Sequence, residues 1–363
     1  MRSFLAPLLV ILALPSLSHA VEAEDTQSHG QFVANAVEGY IRPEFDRFAG
    51  TLRALDGEIE TFCAAPDAAG YDRLAASYRG ALQGFARIGF LRFGPLIEDH
   101  RLERLLFWPD RKSTGRRQVL AAVRERDESV LRVADLQEKS VAMQGLLALE
   151  EVLFDDARDA LLAAGEEGRF RCGYATAIGE NLTGIGDALA ADWRDRKGYS
   201  ALLLHPGQDN PAFRTDQEAA SQILGGLTTG LQIVRDQWMR PVLGKGPGRP
   251  KPLMALFRRS GNSLAMMDAA VRGLKDYMAA LRIKPMLEEE WVWMDDSLQF
   301  ELQSALKVLG EIKPPLSSAV RKPEGYGKLQ FVSGIIEDVR ESAGSQLAIA
   351  LKIQVGFNAL DGD

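Results

Sequence analysis

The stretch FDRFAGTLRALDGEIETF, Phe45 to Phe62, decides the fold class. Its apolar side chains, Phe45, Phe48, Leu52, Leu55, Ile59 and Phe62, step by three and four, so they line one narrow seam of a helix while charged residues take the other faces. A seam of that kind is what a helix buries against other helices. The pattern already runs through Phe32, Val33, Val37, Tyr40 and Ile41, with Pro43 interrupting it. An internal Pro removes a donor and clashes with the preceding turn at a cost of about 3 kcal/mol, so a kink or restart is expected near Arg42.

Outward from this seam the same period recurs. Pro66 and Asp67 punctuate before Tyr71, Leu74, Tyr78, Leu82, Phe85 and Ile88, a second helix reaching Arg92. Weaker spacing follows at Val119, Val123, Leu131 and Leu136, then an apolar run from Val141 to Phe154. Phe170, Tyr174, Ile178, Leu182, Ile185, Leu189 and Trp193 mark a long amphipathic helix. Later helices carry Ile223 to Trp238, Phe257 to Leu281, Trp291 to Leu309 and Leu329 to Val339, resuming at Leu347, Leu351 and Val355. No long alternation of apolar and polar residues marks a strand, so the expectation is an all-α protein. The Gly- and Pro-rich segment from Lys197 to Pro211 is the best boundary between two helical bundles, 21–200 and 201–363.

The chain has 363 residues, a length that suggests two domains. Arg2, the apolar run Phe4 to Leu17, and Ser18, His19 and Ala20 read as a cleavable secretory signal over residues 1–20. That run is too short to span a membrane, and no later stretch is apolar enough. The formal net charge of −7, about −8 after cleavage, argues against nucleic acid, whose affinity comes from neutralised phosphates. The basic loop Gly244 to Pro252 reads as a solvated connection. Cys63 and Cys172 are the only cysteines, and an exported chain predicts one disulfide between them, with two buried thiols as the alternative.

Chemistry-bearing motifs are few. No HExxH, GxSxG or phosphate-binding Gly loop occurs, and Ser304 to Lys307 is an isolated SxxK. His100 and Glu103 stand one helical turn apart, which is half a metal site or a charged surface turn. The segment LRFGPLIEDHRLERLLFWPD, Leu91 to Asp110, mixes bulky apolar with charged residues, so Arg92, Arg101, Arg104 and Asp110 need partners wherever they are buried. Glu150 lies in an apolar run and, if buried, must be neutralised by Arg, metal or ligand. Arg258, Arg259, Ser260 and Asn262 in FRRSGNS suit a carboxylate, that of Asp110, of Glu150 or of a ligand.

The order FCAAP (62–66), RFGP (92–95), FWPD (107–110), GLLALE (145–150), RCGY (171–174), RRSG (258–261) and FNALDGD (357–363) resembles the imelysin-like proteins. These are exported bacterial proteins associated with iron uptake and also catalogued among candidate metallopeptidases. The resemblance implies two helical bundles with shared polar residues gathered in an interdomain cleft. The family motif GxHxxE aligns with Gly145, Leu147 and Glu150, so its histidine is Leu147 here and the implied metal site lacks a ligand. By the same matching, Arg92, Trp108, Asp110, Glu150, Arg259, Ser260 and Asn358 are the candidate ligand-binding residues. The expectation is a periplasmic, non-catalytic binding protein taking a small polar or metal-bearing ligand. No cofactor is named by the residues, a metal ion being the one the family raises. The alternatives are a metallopeptidase, and a structural envelope protein that binds a partner protein.

Overall fold

A computed structural model describes residues 28–110 and 112–354. Among them the chain is helical throughout its regular structure, with no strand. The expected signal peptide, Asn358 and the acidic C-terminus lie outside the described residues.

Helix α1 (His29–Ala36) starts where the Ser28 hydroxyl accepts a hydrogen bond from the Gln31 amide. It runs without a break through a π-helical turn, Val37–Ile41, into α2 (Arg42–Ala64). The break expected at Pro43 is therefore a widened turn just before it, which leaves Pro43 in the first turn of α2, where its missing donor is least costly. Asp67 caps α3 (Ala68–Ile88) by accepting from the Gly70 amide at 2.6 Å. Gly94 follows at φ +58°, against the ring of Tyr199, a place where a side chain would collide. Short helices α4 (Arg101–Leu105), α5 (Thr114–Glu125) and α6 (Val133–Gln137) lead to α7 (Leu146–Leu153), which carries Glu150. Then come α8 (Ala157–Leu162), the long α9 (Glu166–Arg194) and α10 (Tyr199–Leu204).

The second half holds α11 (Asp216–Gln232), continued by a π-helical stretch Ile233–Met239, and α12 (Arg240–Leu243). Helix α13 (Ser263–Leu281) follows, starting later than the apolar pattern from Phe257 implies. Phe257 is buried in a left-handed turn ahead of the helix, so its apolar character reports core burial and not helical phase. Helices α14 (Trp293–Gly310), α15 (Leu316–Ala319), α16 (Pro323–Ser342) and α17 (Ala348–Ala350) close the described chain.

The seam of α2 packs on α9 and α3, and the Cys63–Cys172 disulfide staples α2 to α9 with a Cα separation of 5.5 Å. Helix α3 packs on α13, and α1 lies against α11 and α13, so the buried apolar side chains of both halves form one contiguous cluster. Polar groups reinforce that contact. The buried Glu44 on α2 accepts two hydrogen bonds of 2.8 Å from Arg87 on α3, and Arg87 also donates to Asp276 on α13 at 2.8 Å. No helix among the described residues is long and apolar enough to cross a membrane.

Candidate functional site

Glu150 is the best-supported member of the site because three distant segments are needed to position it. Helix α7 begins at Gly145, where an added Cβ would lie 2.6 Å from the carbonyl oxygens of Arg104 and Leu105, so only glycine lets α7 approach α4 this closely. The Tyr78 hydroxyl on α3 donates to the Leu146 carbonyl at 2.9 Å, and its ring stands edge-to-face against Phe257. That contact fixes the turn Phe257 to Asn262. Arg79 donates to the side-chain oxygen of Asn262 at 2.8 Å and holds the other end of the turn.

In this frame Glu150, only 1% exposed, accepts hydrogen bonds on Oε1 from the Ser260 amide at 2.9 Å and the Ser260 hydroxyl at 2.7 Å. Burial pushes its carboxyl pKa up, and the Ser260 bonds and nearby Arg259 only partly oppose this. Arg259 pairs with Glu151 at 2.7 Å and lies 3.9 Å from Asp155. Glu151 also faces Arg116 at 3.4 Å. Burial raises the Glu151 pKa against the pull of these arginines, while desolvation, ahead of the attraction of Glu151, lowers that of Arg259.

Arg116, Glu150, Glu151 and Arg259 border a crevice of about 160 Å³. One wall is Phe107, Trp108 and Asp110, the floor is Leu147, Glu150 and Glu151 of α7, and the far wall is Leu253 to Arg259 of the second half. Asp110 is held in place by accepting from the Thr114 amide at 2.7 Å and the Gly115 amide at 2.9 Å, at the start of α5. Trp108 donates from Nε1 to the Gln237 carbonyl at 3.3 Å. Trp108, Asp110, Glu150, Arg259 and, through its hydrogen bonds, Ser260 are thus brought together.

Arg92 is not in this crevice. It lines a neighbouring cavity on the other side of Trp108. Arg101 finds Asp192 at 2.6 Å, and Arg104 donates to the amide oxygens of Gln144 and Asn181, each at 3.2 Å. His100 and Glu103 are exposed. The partner expected for Arg259 was Asp110, Glu150 or a ligand, but it is Glu151, which the sequence reading missed. The apolar run around Glu150 also contained Glu151, but no local signal tells that the two adjacent carboxylates are both enclosed.

Fold and site together define an all-helical protein with a small, mixed-charge crevice between its N-terminal and C-terminal halves. The family model described as Imelysin, designated peptidase M75, matches residues 41–343, and the chain belongs to that family. It is 21% identical over 302 residues to "Iron-regulated protein A" of Synechococcus elongatus, covering 81% of this chain and 79% of that protein. An imelysin-like protein from Psychrobacter arcticum 273-4 superposes with a TM-score of 0.75 at 17% identity, over 91% of this chain and 97% of that one. A solved structure from Parabacteroides distasonis ATCC 8503 gives a TM-score of 0.64 at 16% identity, over 90% of this chain and 98% of that one.

A peptidase family of this name raises a resident metal ion, and the residues present do not fit one. Leu147, at the histidine position of the family motif, lines the crevice one turn from Glu150 and offers no donor. Asp110 is spent on backbone amides and Glu151 on two arginines. Among the described residues no group of three or more His, Cys, Asp and Glu side chains converges for a metal.

Proposed function

We propose that this imelysin-family chain is an exported periplasmic binding protein without catalytic function, associated with uptake of iron or another metal, whose crevice around Glu150 holds a small polar or metal-bearing ligand. The reading takes residues 21–200 and 201–363 as the two bundles that flank the crevice. Trp108, Asp110, Glu150, Arg259 and Ser260 are the residues that would meet or position the ligand. One observation carries it: a carboxylate buried in an apolar run lines a crevice and is held there by a serine 110 residues away. Packing alone gives no reason to keep such a group, since burying a carboxylate costs more than burying an apolar side chain of the same size. The name of the cyanobacterial relative supports the link to iron. The disulfide fits an oxidising compartment outside the cytoplasm.

The test is a thermal-shift screen of divalent and ferric ions, iron chelates and haem against the wild-type protein and Glu150→Ala. An iron chelate or haem should raise the wild-type midpoint and leave the variant's unchanged. A panel in which nothing shifts the wild type, or in which both proteins shift alike, overturns the reading. So does metal-dependent peptide hydrolysis by the purified protein.

A further inference from the structure

Beyond the Glu150 crevice, Arg92 presents a different problem in charge pairing. Its Nε is sheltered from solvent and has no hydrogen-bond partner among the described residues. Its Nη2 makes one long bond, donating to the Gln237 side-chain oxygen at 3.2 Å. No carboxylate among the described residues comes within ion-pairing distance, and Glu103 at the rim of the cavity is exposed. Desolvation is the main influence on the group and lowers its pKa, with the charge of Glu103 opposing. Arg87, Arg101, Arg116 and Arg259 each reach a carboxylate, Arg79 donates to Asn262 and Arg104 is shared between two amide oxygens, whereas the Nε of Arg92 meets no acceptor among the described residues.

Arg92 lines a partly open cavity of about 70 Å³ whose walls include Phe85, Leu106, Trp108 and Trp238, with Gln237 and the carboxylate-bearing Glu103 as its other polar members. Water occupies about 30 Å³ per molecule, so the space is that of about two waters or one formate or acetate. The Nε–Nη2 edge of a guanidinium is a fork that matches the two oxygens of a carboxylate, and the aromatic rings of Phe85, Trp108 and Trp238 around the cavity would strengthen such a charge-assisted pair. We propose that this cavity is a second binding site, separate from the Glu150 crevice, which takes a small carboxylate monoanion on the Nε–Nη2 edge of Arg92. Gln237 orients the guanidinium and Trp108 forms the partition between the two sites.

The probe is sodium formate, compared at equal ionic strength with sodium pivalate, whose carboxylate carries a group too wide for the cavity. Thermal midpoint and tryptophan fluorescence are read together, since Trp108 and Trp238 both face the site. Formate should produce a saturable rise in midpoint and a saturable fluorescence change that pivalate does not, and Arg92→Gln should abolish both. If Arg92→Gln does not fold, Arg92→Lys decides, because it keeps the charge but loses the fork and should bind formate at least tenfold more weakly. Equal responses to formate and pivalate in the wild type overturn the proposal. So does a formate response that survives unchanged in whichever variant folds.

Discussion

Glu150 owes its position to Ser260, and that dependence makes its substitutions informative. In Glu150→Gln the amide oxygen can still accept both Ser260 bonds without a buried charge. The folded-state pKa of Glu150 lies above its ordinary value of 4.5, so the folded protein holds this proton to higher pH than the unfolded chain does. The wild type should therefore gain stability as pH falls towards 4.5, and Glu150→Gln should be the more stable protein at pH 8, with the gap closing on acidification. Denaturant titrations at a series of pH values check this. Glu150→Ala should instead lose about 2 to 4 kcal/mol, because both Ser260 donors are stranded beside a void. Asp56 offers a second case. Its Oδ1 is sheltered without a partner, and burial, with Glu60 and Glu180 nearby, pushes its pKa up to about 6. Asp56→Asn should raise the thermal midpoint at pH 7.5, and the advantage should fade as pH drops through 6 towards the ordinary 3.8. At this scale the sequence was legible where an anomaly was local: a carboxylate inside an apolar run marks Glu150. It was silent where a partner lies 108 residues away, as with Glu151 and Arg259, because pairing across the fold leaves no trace in spacing.

Helices were the most legible elements, since a three-and-four apolar step is the direct imprint of a buried helical face. The π-helical turns were not, because one extra residue per turn at Val37–Ile41 leaves the run of apolar residues looking helical. The start of α13 was also misplaced for a physical reason: Phe257 is buried by its turn and not by a helix. Helix α7 carries the clearest test at this scale. Leu147 and Glu150 are one turn apart and both face the crevice. Leu147→His should place an imidazole beside the carboxylate, so that zinc or ferrous ion raises the variant's midpoint while leaving the wild type's unchanged. An equal metal response in both proteins would mean that Leu147 is not what denies the crevice a metal.

Across the whole molecule, one contiguous apolar cluster joins the halves, with Glu44, Arg87 and Asp276 bridging them on the polar side. Glycines and prolines near 197–211 signal a boundary, but nothing in the periodicity hints that α1, the first helix, packs on α11 and α13 of the second half. Contacts between segments that distant are set by shape and volume, not by periodicity. The disulfide was foreseeable from the expected export of the chain and its two cysteines. It closes a loop with a sequence separation of 109. In the chain-entropy picture a loop of that length is worth about 4 to 5 kcal/mol, so a phosphine reductant, or Cys63→Ser with Cys172→Ser, should lower the denaturation midpoint markedly. An unchanged midpoint after verified reduction would show that the α2–α9 seam holds without its staple.

The proposed ligand site is the crevice beside Glu150. Leu147→Trp would fill that crevice from its floor, at a half-buried position whose side chain points into it. Calorimetric titration of the chelate or haem that shifts the wild type most, into wild type and Leu147→Trp side by side, is the direct measurement. Single-site binding to the wild type is expected, with at least a tenfold loss of affinity in a variant that remains folded. Equal affinity in the two proteins would place the ligand elsewhere and contradict this assignment.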